Sequence, residues 1–174
     1  MKKPEQIITN RLVLKSLTDS DRDDMVSILH SEVKKTYMIP DLHNKEEEDK
    51  LFNRLKQVTE DSNHFAFGIF LDNEVIGYLN DVEKNDEEIE IGYFVSPNKW
   101  GHGYASEAFK GAIDALFEMG YQRVYAGFFE GNLASERVMQ KCGLRKIDKT
   151  ESIEYRGVSR PVIYYRIGKD ERGI

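Results

Sequence analysis

A stripe of apolar residues at 105–117 is the clearest pattern in the chain. Its members recur at intervals of three and four residues, the spacing of a helix that buries one face. They are Ala105, Ala108, Phe109, Ala112, Ile113, Leu116 and Phe117. The segment before the stripe, 88–95, predicts a strand that ends at Ser96-Pro97. The two elements are joined by a short polar loop.

The rest of the chain predicts further strands and helices without an internal repeat or linker. Strands are expected at 11–16, 65–71, 75–82, 88–95, 123–129 and on both sides of 154–157. Helices are expected after the N-cap segment 18–21 and at 45–60, 105–117 and 133–141. This order predicts an α/β (α+β) fold, a mixed sheet of about seven strands with helices on both faces. We expect residues 1–174 to form a single domain.

The loop between 88–95 and 105–117 contains two glycines, Gly101 and Gly103. A strand, a Gly-x-Gly turn and a helix start together direct backbone N–H groups and the positive end of the helix dipole toward one point. The pattern therefore predicts a ligand that carries phosphates. A dinucleotide-binding loop would need a third glycine where Ser106 stands, and a mononucleotide P-loop would close on Gly-Lys-Ser/Thr, which this loop lacks.

The loop fits a third class, the Gln/Arg-x-x-Gly-x-Gly/Ala loop of GNAT-type N-acetyltransferases. Phrases typical of that superfamily follow in its order along nearly the whole chain. They are Thr9-Asn10-Arg11-Leu12-Val13-Leu14, Glu90-Ile91-Gly92-Tyr93, 100–108, Asn132-Leu133-Ala134-Ser135, 137–144 and Glu154-Tyr155-Arg156-Gly157. The chain thus resembles the ribosomal-protein N-terminal alanine and serine acetyltransferases (RimJ/RimL-like). The resemblance implies the GNAT fold, with a twisted and mostly antiparallel sheet, and acetyl-CoA as the co-substrate.

The resemblance also implies which residues hold coenzyme A. The loop and the helix start would cradle the pyrophosphate, and the central strand and the second helix would contact the pantetheine arm. These residues are Phe94, Val95, Asn98, Trp100, Gly101, His102, Gly103, Tyr104, Ala105, Asn132 and Ser135. Asn98 departs from the family, which carries Gln or Arg at the loop entrance. We expect this change to tune affinity, because backbone amides do most of the cradling. His102 and Trp100 also fit residues that only cover the loop.

Ser135 and two glutamates are the candidate catalytic residues. In the family, a serine matching Ser135 approaches the thioester sulfur and is proposed to protonate the departing thiolate; a hydroxyl that only hydrogen-bonds the helix start is the alternative. Glu154 matches the general base of the phrase Glu-Tyr-x-x-Gly, although the turn here is one residue shorter. Glu90 lies on the central strand, where other members carry a base, and fits a solvated charge equally well. A mechanism with a water relay, or with no protein base, stays open.

Charge and composition narrow the classes of partner. The net charge of −6 argues against nucleic acid and mildly favours a cationic amine acceptor. No apolar run approaches the ~20 residues of a membrane span, and the N-terminus lacks the apolar region of a signal peptide. We therefore expect a cytoplasmic protein that binds no membrane. No metal is expected, since His30, His43 and His64 show no ligand spacing. A monomer and a homodimer are both open.

The leading hypothesis is an acyltransferase that moves an acetyl group from acetyl-CoA to a primary amine by direct attack in a ternary complex. The expected acceptor is the N-terminal α-amine of a protein such as a ribosomal protein. The first alternative is a small amine: a polyamine, an amino acid or an aminoglycoside. The second is a non-catalytic module that only binds coenzyme A, and the third is a domain that binds an apolar ligand or a partner without coenzyme A.

Overall fold

The computed structural model describes residues 2–172, so Met1, Gly173 and Ile174 of the expected 1–174 domain lie outside the described residues. The strands are β1 Gln6–Ile8, β2 Leu12–Lys15, β3 Ala66–Leu71, β4 Glu74–Lys84, β5 Glu88–Val95, β6 Arg123–Phe129, β7 Arg145–Tyr155 and β8 Val158–Gly168. The helices are α1 Arg22–His30, α2 Lys45–Glu60, α3 Tyr104–Met119 and α4 Leu133–Lys141. The predictions for α2, α4, β5 and β6 are confirmed to the residue.

The strands form one sheet in the order β1-β2-β3-β4-β5-β6-β8-β7. Every neighbouring pair is antiparallel except β5 and β6, which are parallel. The mixed, mostly antiparallel sheet is therefore confirmed, but it has eight strands and not about seven. The sequence analysis missed β1 because three residues with one buried side chain, Ile7, are too short to show a period of two. This segment becomes a strand only by pairing with β2.

Helices cover both faces of the sheet and create two large cores. We name the core against α3 and α4 the α3 core, and the core against α1 and α2 the α1 core. Because successive side chains of a strand point to opposite faces, β5 contributes to both. Ile91 and Val95 enter the α3 core, whereas Phe94 enters the α1 core. The apolar stripe of α3 supplies the centre of the α3 core, as its spacing predicted.

The parallel pair determines where two helices begin. α3 follows β5 in the chain, and α4 follows β6. The carboxyl ends of parallel neighbours lie at the same edge of a sheet, which is where the helices that follow them start. The N-termini of α3 and α4 therefore lie side by side at one edge, above the junction of β5 and β6.

Gly77 on β4 allows β5 to approach closely, and its replacement tests that packing. A Cβ at Gly77 would clash with the backbone carbonyl of Phe94. We expect Gly77→Ala to lower the free energy of unfolding by about 1–3 kcal/mol, as overpacking does. Gly92→Ala is the matched control on β5, because its Cβ would lie 3.4 Å from its nearest neighbours. Urea unfolding measures both variants, and equal midpoints would contradict the close contact.

Candidate active site

β5 and β6 separate after a short stretch of parallel pairing. Residues 88–90 pair with 123–125. Glu88 of β5 links the two strands at the paired end, because its carboxylate accepts hydrogen bonds from the Arg123 guanidinium and, at 3.1 Å, from the Tyr125 hydroxyl of β6. Beyond it, within the described residues, β5 pairs only with β4 and β6 only with β8. A gap therefore opens between 91–95 and 126–129.

The backbone of β5 presents alternate residues to this gap. The Ser96 N–H donates to the Ile76 carbonyl next to it in the sheet, at 2.7 Å. Backbone groups alternate in direction along a strand, so Phe94 also directs its N–H and C=O at β4. Tyr93 and Val95 direct theirs at the gap. An extended edge of main-chain donors and acceptors thus lines one side of the opening.

Phe94 and Val95, both expected to contact the pantetheine arm, direct their backbone groups to opposite sides of β5. Phe94 directs its backbone at β4, and its ring is buried in the α1 core. Val95 does face the gap, but its carbonyl accepts a hydrogen bond from the Trp100 indole at 2.7 Å. Its N–H and both backbone groups of Tyr93 face the opening. Sequence reasoning missed Tyr93 because backbone direction follows from the pairing with β4, which has no signature within β5 itself.

The glycine loop lies directly before α3 and exposes its backbone. Gly101 and Gly103 have φ angles of 78° and 80°, in the left-handed region that favours glycine. Both are exposed, and a Cβ on Gly101 would have no atom within 4 Å. Gly103 is the N-cap of α3, so the amides of the first helical turn have no partner within the helix. These amides and the helix dipole together favour an anion.

An arginine from the start of the chain holds this loop in place. Arg11 donates from Nη1 to the His102 carbonyl at 2.9 Å, and its guanidinium lies 4.5 Å from the centre of the Tyr104 ring. Glu107 of α3 fixes Arg11 in turn, since it accepts from Arg11 Nε at 2.7 Å and from the Thr9 hydroxyl at 2.6 Å. The sequence analysis assigned no role to Arg11, because a contact across 91 positions has no local signal.

The other side chains of the loop make contacts within the protein. Asn98 Oδ1 accepts from a serine hydroxyl of its own turn, that of Ser96, at 2.8 Å. The Trp100 indole bonds the main chain of β5, and His102 Nδ1 lies 2.8 Å from the Trp100 carbonyl oxygen. Ala105 is half-buried in the first turn of α3. Backbone amides, more than these side chains, are therefore what the loop offers to a ligand.

The N-terminus of α4 brings Asn132 and Ser135 to the same edge. Asn132 is the N-cap, as predicted, and its side chain accepts from the Ser135 N–H at 3.2 Å. The Ser135 side chain lies near the phenol of Tyr93 on β5 and acts on its pKa. Burial raises the pKa of Tyr93 to about 12, and Ser135 opposes part of the rise. The phenol therefore keeps its proton at neutral pH, and Ser135 lies across the gap from β5.

Glu90 lies on the opposite face of β5, at the last paired position before the gap. It stands directly across from Glu83 of β4. Burial raises the pKa of Glu90; Lys149 opposes the rise, and Glu83 and Glu151 add to it. A partly desolvated carboxylate of this kind is a stronger base than an exposed one, because its protonated form is favoured.

Glu154 is exposed near the end of β7. It pairs with Ser159 of β8, in a stretch of regular register that runs from Thr150 to Tyr155. Alternation along this stretch puts Glu154 on the face opposite to Glu151 and Tyr155. Glu151 is the β7 carboxylate that acts on Glu90. The structure therefore does not bring Glu154 to the face on which Glu90 lies.

Within residues 2–172, no group of three or more His, Cys, Asp and Glu side chains is arranged to hold a metal ion. In the same range, every helix is too short or too polar to cross a membrane.

Glu107→Gln tests the support of the loop by Arg11. Burial by itself would raise the pKa of Glu107, but hydrogen bonds from Thr9 and Arg11 outweigh it, and the net pKa lies below the ordinary 4.5. The charged form therefore stabilises the fold above about pH 4.5, and this gain is lost as the pH falls through the lower pKa of the folded state. We expect Glu107→Gln to lower the free energy of unfolding by about 1–3 kcal/mol at neutral pH.

Urea unfolding from neutral to acid pH measures this difference. The difference in free energy of unfolding between Glu107→Gln and the parent protein is expected to be constant at neutral pH and to shrink below about pH 4.5. Glu118→Gln is the control, an exposed glutamate of the same helix. A difference in free energy of unfolding that persists at acid pH, or one that Glu118→Gln reproduces, would show that the charge of Glu107 does not support the loop.

Comparison with known proteins agrees with this architecture. The family model described as an acetyltransferase (GNAT) domain matches residues 11–145. YoaA of Bacillus subtilis, an uncharacterised N-acetyltransferase, is 26% identical over 144 residues, which cover 79% of this chain and 81% of YoaA.

Two solved structures share the fold. RimJ of Mycobacterium smegmatis, in complex with a CoA disulfide, has a TM-score of 0.82 at 20% identity, over 97% of this chain and 90% of RimJ. RimL, a ribosomal L7/L12 alpha-N-protein acetyltransferase in complex with coenzyme A, has a TM-score of 0.79 at 18% identity, over 98% of this chain and 99% of RimL.

The family match includes β5, the glycine loop, β6 and the start of α4, which are the elements that build the gap. The chain belongs to the GNAT acetyltransferase family and is an acyltransferase.

Proposed function

We propose that the protein transfers the acetyl group of acetyl-CoA to the N-terminal α-amine of a protein. The observation that carries the proposal is the gap between β5 and β6, which opens beside the N-termini of α3 and α4. Its β5 edge offers extended main-chain groups, to which an extended amide chain can add as a strand would. The glycine loop at its end offers amides to phosphates.

The residues of the gap fit coenzyme A at both ends. The backbone at Gly101 and Gly103 and the first turn of α3 would hold the pyrophosphate. The main chain of Tyr93 and the N–H of Val95 would pair with the pantetheine amides. When bound, acetyl-CoA supplies an activated acetyl group and a thiolate leaving group. The Asn98 side chain is hydrogen-bonded to Ser96. This contact supports a loop that binds phosphates through its backbone amides, and it is consistent with Asn at the loop entrance in place of the family's Gln or Arg.

Glu90 is the general base in this proposal. An α-amine has a pKa of about 7.7–8.0, so a base is needed to take its proton at neutral pH. Burial and like charge raise the pKa of Glu90 toward neutrality, and the residue stands where the gap begins. A buried carboxyl with a raised pKa beside an opening is a typical feature of a catalytic base. Glu154, by contrast, is exposed and lies on the other face of β7.

Ser135 is the proton donor to the departing thiolate, and Tyr93 orients its hydroxyl. The two side chains, one on α4 and one on β5, lie near each other beside the gap. Tyr93 and Glu90 point to opposite faces of β5, since they are three positions apart in a strand. The base and the acid therefore stand on opposite sides of the sheet. The amine would enter from the face of Glu90, and the thiolate would leave on the face of Ser135.

Two observations support an α-amine acceptor. RimL, whose fold this chain shares, is a ribosomal L7/L12 alpha-N-protein acetyltransferase. On the face of Glu90, the carboxylates of Glu83 and Glu151 act on the carboxylate of Glu90, with Lys149 beside them. Their negative field attracts an ammonium group and repels an acidic acceptor.

Titration calorimetry with acetyl-CoA tests the donor site. We expect saturable binding of acetyl-CoA and desulfo-CoA, and much weaker binding of ATP, which lacks the pantetheine arm. Gly103→Val is expected to weaken acetyl-CoA binding by about tenfold or more, because a β-branched residue strains a left-handed backbone. Equal affinity for ATP and acetyl-CoA would contradict pantetheine recognition in the gap.

Mass spectrometry of peptides with free or blocked N-termini tests the acceptor. Acetylation of lysine side chains alone would contradict an α-amine acceptor.

Glu90→Gln and Glu154→Gln separate the two candidate bases. We expect Glu90→Gln to lower kcat/KM by about a hundredfold or more, the usual contribution of a general base. The parent protein should gain activity as pH rises through the pKa of Glu90, which burial raises above the ordinary 4.5, and Glu90→Gln should lose this limb of the profile. Glu154→Gln should change kcat/KM by less than about threefold. The reverse ranking would assign the base to Glu154.

A further inference from the structure

The turn between β7 and β8 reaches a bend that lies far away in the sequence. The Tyr155 hydroxyl of this turn contacts the carbonyl oxygen of Lys34 and lies 3.2 Å from those of Tyr37 and Ile39. A hydroxyl has one proton to donate, so these three carbonyls share it. The tyrosine is itself buried. Its polar end therefore gathers the backbone of 34–39 around one point.

Arg156, the next residue, adds an ion pair to the same bend. Its guanidinium binds Asp41 with two parallel bonds, Nη1 to Oδ2 at 2.8 Å and Nη2 to Oδ1 at 3.0 Å, and Nη2 also donates to the Ile39 carbonyl at 3.3 Å. Hydrogen bonding by Arg156 holds the pKa of Asp41 below its ordinary value. Arg156 has a φ of 54°, which is uncommon for a residue with a side chain. The turn thus accepts backbone strain while it presents the guanidinium to the bend.

The bend in turn covers the acceptor face of β5. The Tyr37 hydroxyl donates to Asn80 on β4, and the Tyr37 ring packs edge-on against Phe94 at 4.9 Å. A Cβ on Gly92 would lie 3.4 Å from Tyr37 Cε2. Gly92 and Glu90 are two positions apart on one strand, so they face the same side. Tyr37 therefore lies over β5 one step beyond the proposed base, beside the opening of the gap.

We propose that Tyr155 and Arg156 form a latch that holds the 34–41 bend as one wall of the acceptor site. Arg156 is then a positioning residue for acceptor binding: it acts through Asp41 and the bend and does not touch the reacting atoms. The inference rests on the proposed function for the identity of the site. Within the phrase Glu154-Tyr155-Arg156-Gly157, the functional role in this chain would then lie with Tyr155 and Arg156 and not with Glu154.

The energetics favour a local effect. From Thr36 to Asn44, which includes most of the 34–41 bend, the chain has no regular helix or strand, and its order depends on contacts with other segments. The Arg156 and Asp41 side chains are 36% and 47% exposed, and exposed pairs contribute little to global stability. Loss of the pair should therefore loosen the bend without unfolding the protein.

Arg156→Gln and Asp41→Asn test the latch, because both remove the charge of one partner and keep a polar side chain. Hydrogen exchange of 36–42 should accelerate in both variants, and the KM for a short peptide with a free N-terminal serine should rise by about five- to tenfold. The affinity for acetyl-CoA should stay within about twofold, since the bend lies on the other face from the glycine loop. Arg156→Asp combined with Asp41→Arg should restore most of the exchange protection and the KM.

Arg172→Gln is the control for loss of an arginine ion pair elsewhere. Arg172 binds Asp114 of α3 at 2.6 Å, on the face of the sheet away from the bend. We expect neither the exchange of 36–42 nor the peptide KM to change in this variant. A second variant, Tyr155→Phe, removes the shared hydroxyl and should reproduce the effect of Arg156→Gln.

The two readouts separate the latch from the proposed function. Unchanged exchange in Arg156→Gln and Tyr155→Phe would overturn the latch, whatever the activity. Faster exchange with an unchanged peptide KM would overturn the bend as an acceptor wall. Failure of the parent protein to bind acetyl-CoA would overturn the proposed function and the acceptor wall with it, while faster exchange in the variants would still support the latch as a structural contact.

Discussion

Parallel pairing between β5 and β6 holds for only three residue pairs, and the geometry of the site depends on where it stops. Glu88, bound by Arg123 and Tyr125, closes one end of the pair. Beyond that point β6 keeps only its pairing with β8, which runs along the whole of β6. The β5 edge is then left with extended main-chain groups directed into a gap. Since both strands lead into helices at the same edge, the gap opens beside two helix N-termini, where backbone amides and dipoles favour an anion.

The sheet also separates the two halves of the proposed chemistry. On the α3 face, Ser135 meets Tyr93, whose burial keeps the phenol protonated. On the other face, Glu90 carries a raised pKa among neighbouring carboxylates. The bend held by Tyr155 and Arg156 lies on the face of Glu90, so in the proposed mechanism the amine would enter from this side of the sheet and the thiolate would leave on the other.

Elements with a long apolar period were predicted from the sequence, and contacts between distant segments were not. The stripe of α3 and the caps of α4 are local patterns, because each depends on residues within a few positions of one another. Arg11 illustrates the limit. It contacts His102 and Glu107 across more than ninety positions, so its support of the glycine loop has no trace in any window of sequence. Glu154 illustrates a second limit, since a family phrase identifies a segment and does not state which face of a strand each side chain takes.

By itself, the sequence determined the helices, most strands, the glycine loop, the family and the residues from which a site could be built. The family phrases carried that information because they are contiguous, and glycine, proline and N-cap residues act on the backbone next to them. Only the tertiary structure decided that Tyr93 and not Phe94 faces the gap, that Glu90 is desolvated while Glu154 is exposed, and that Tyr155 and Arg156 reach the 34–41 bend. These properties follow from strand register and from pairing between remote segments. A shift of the register by one residue would move every side chain of a strand to the opposite face of the sheet.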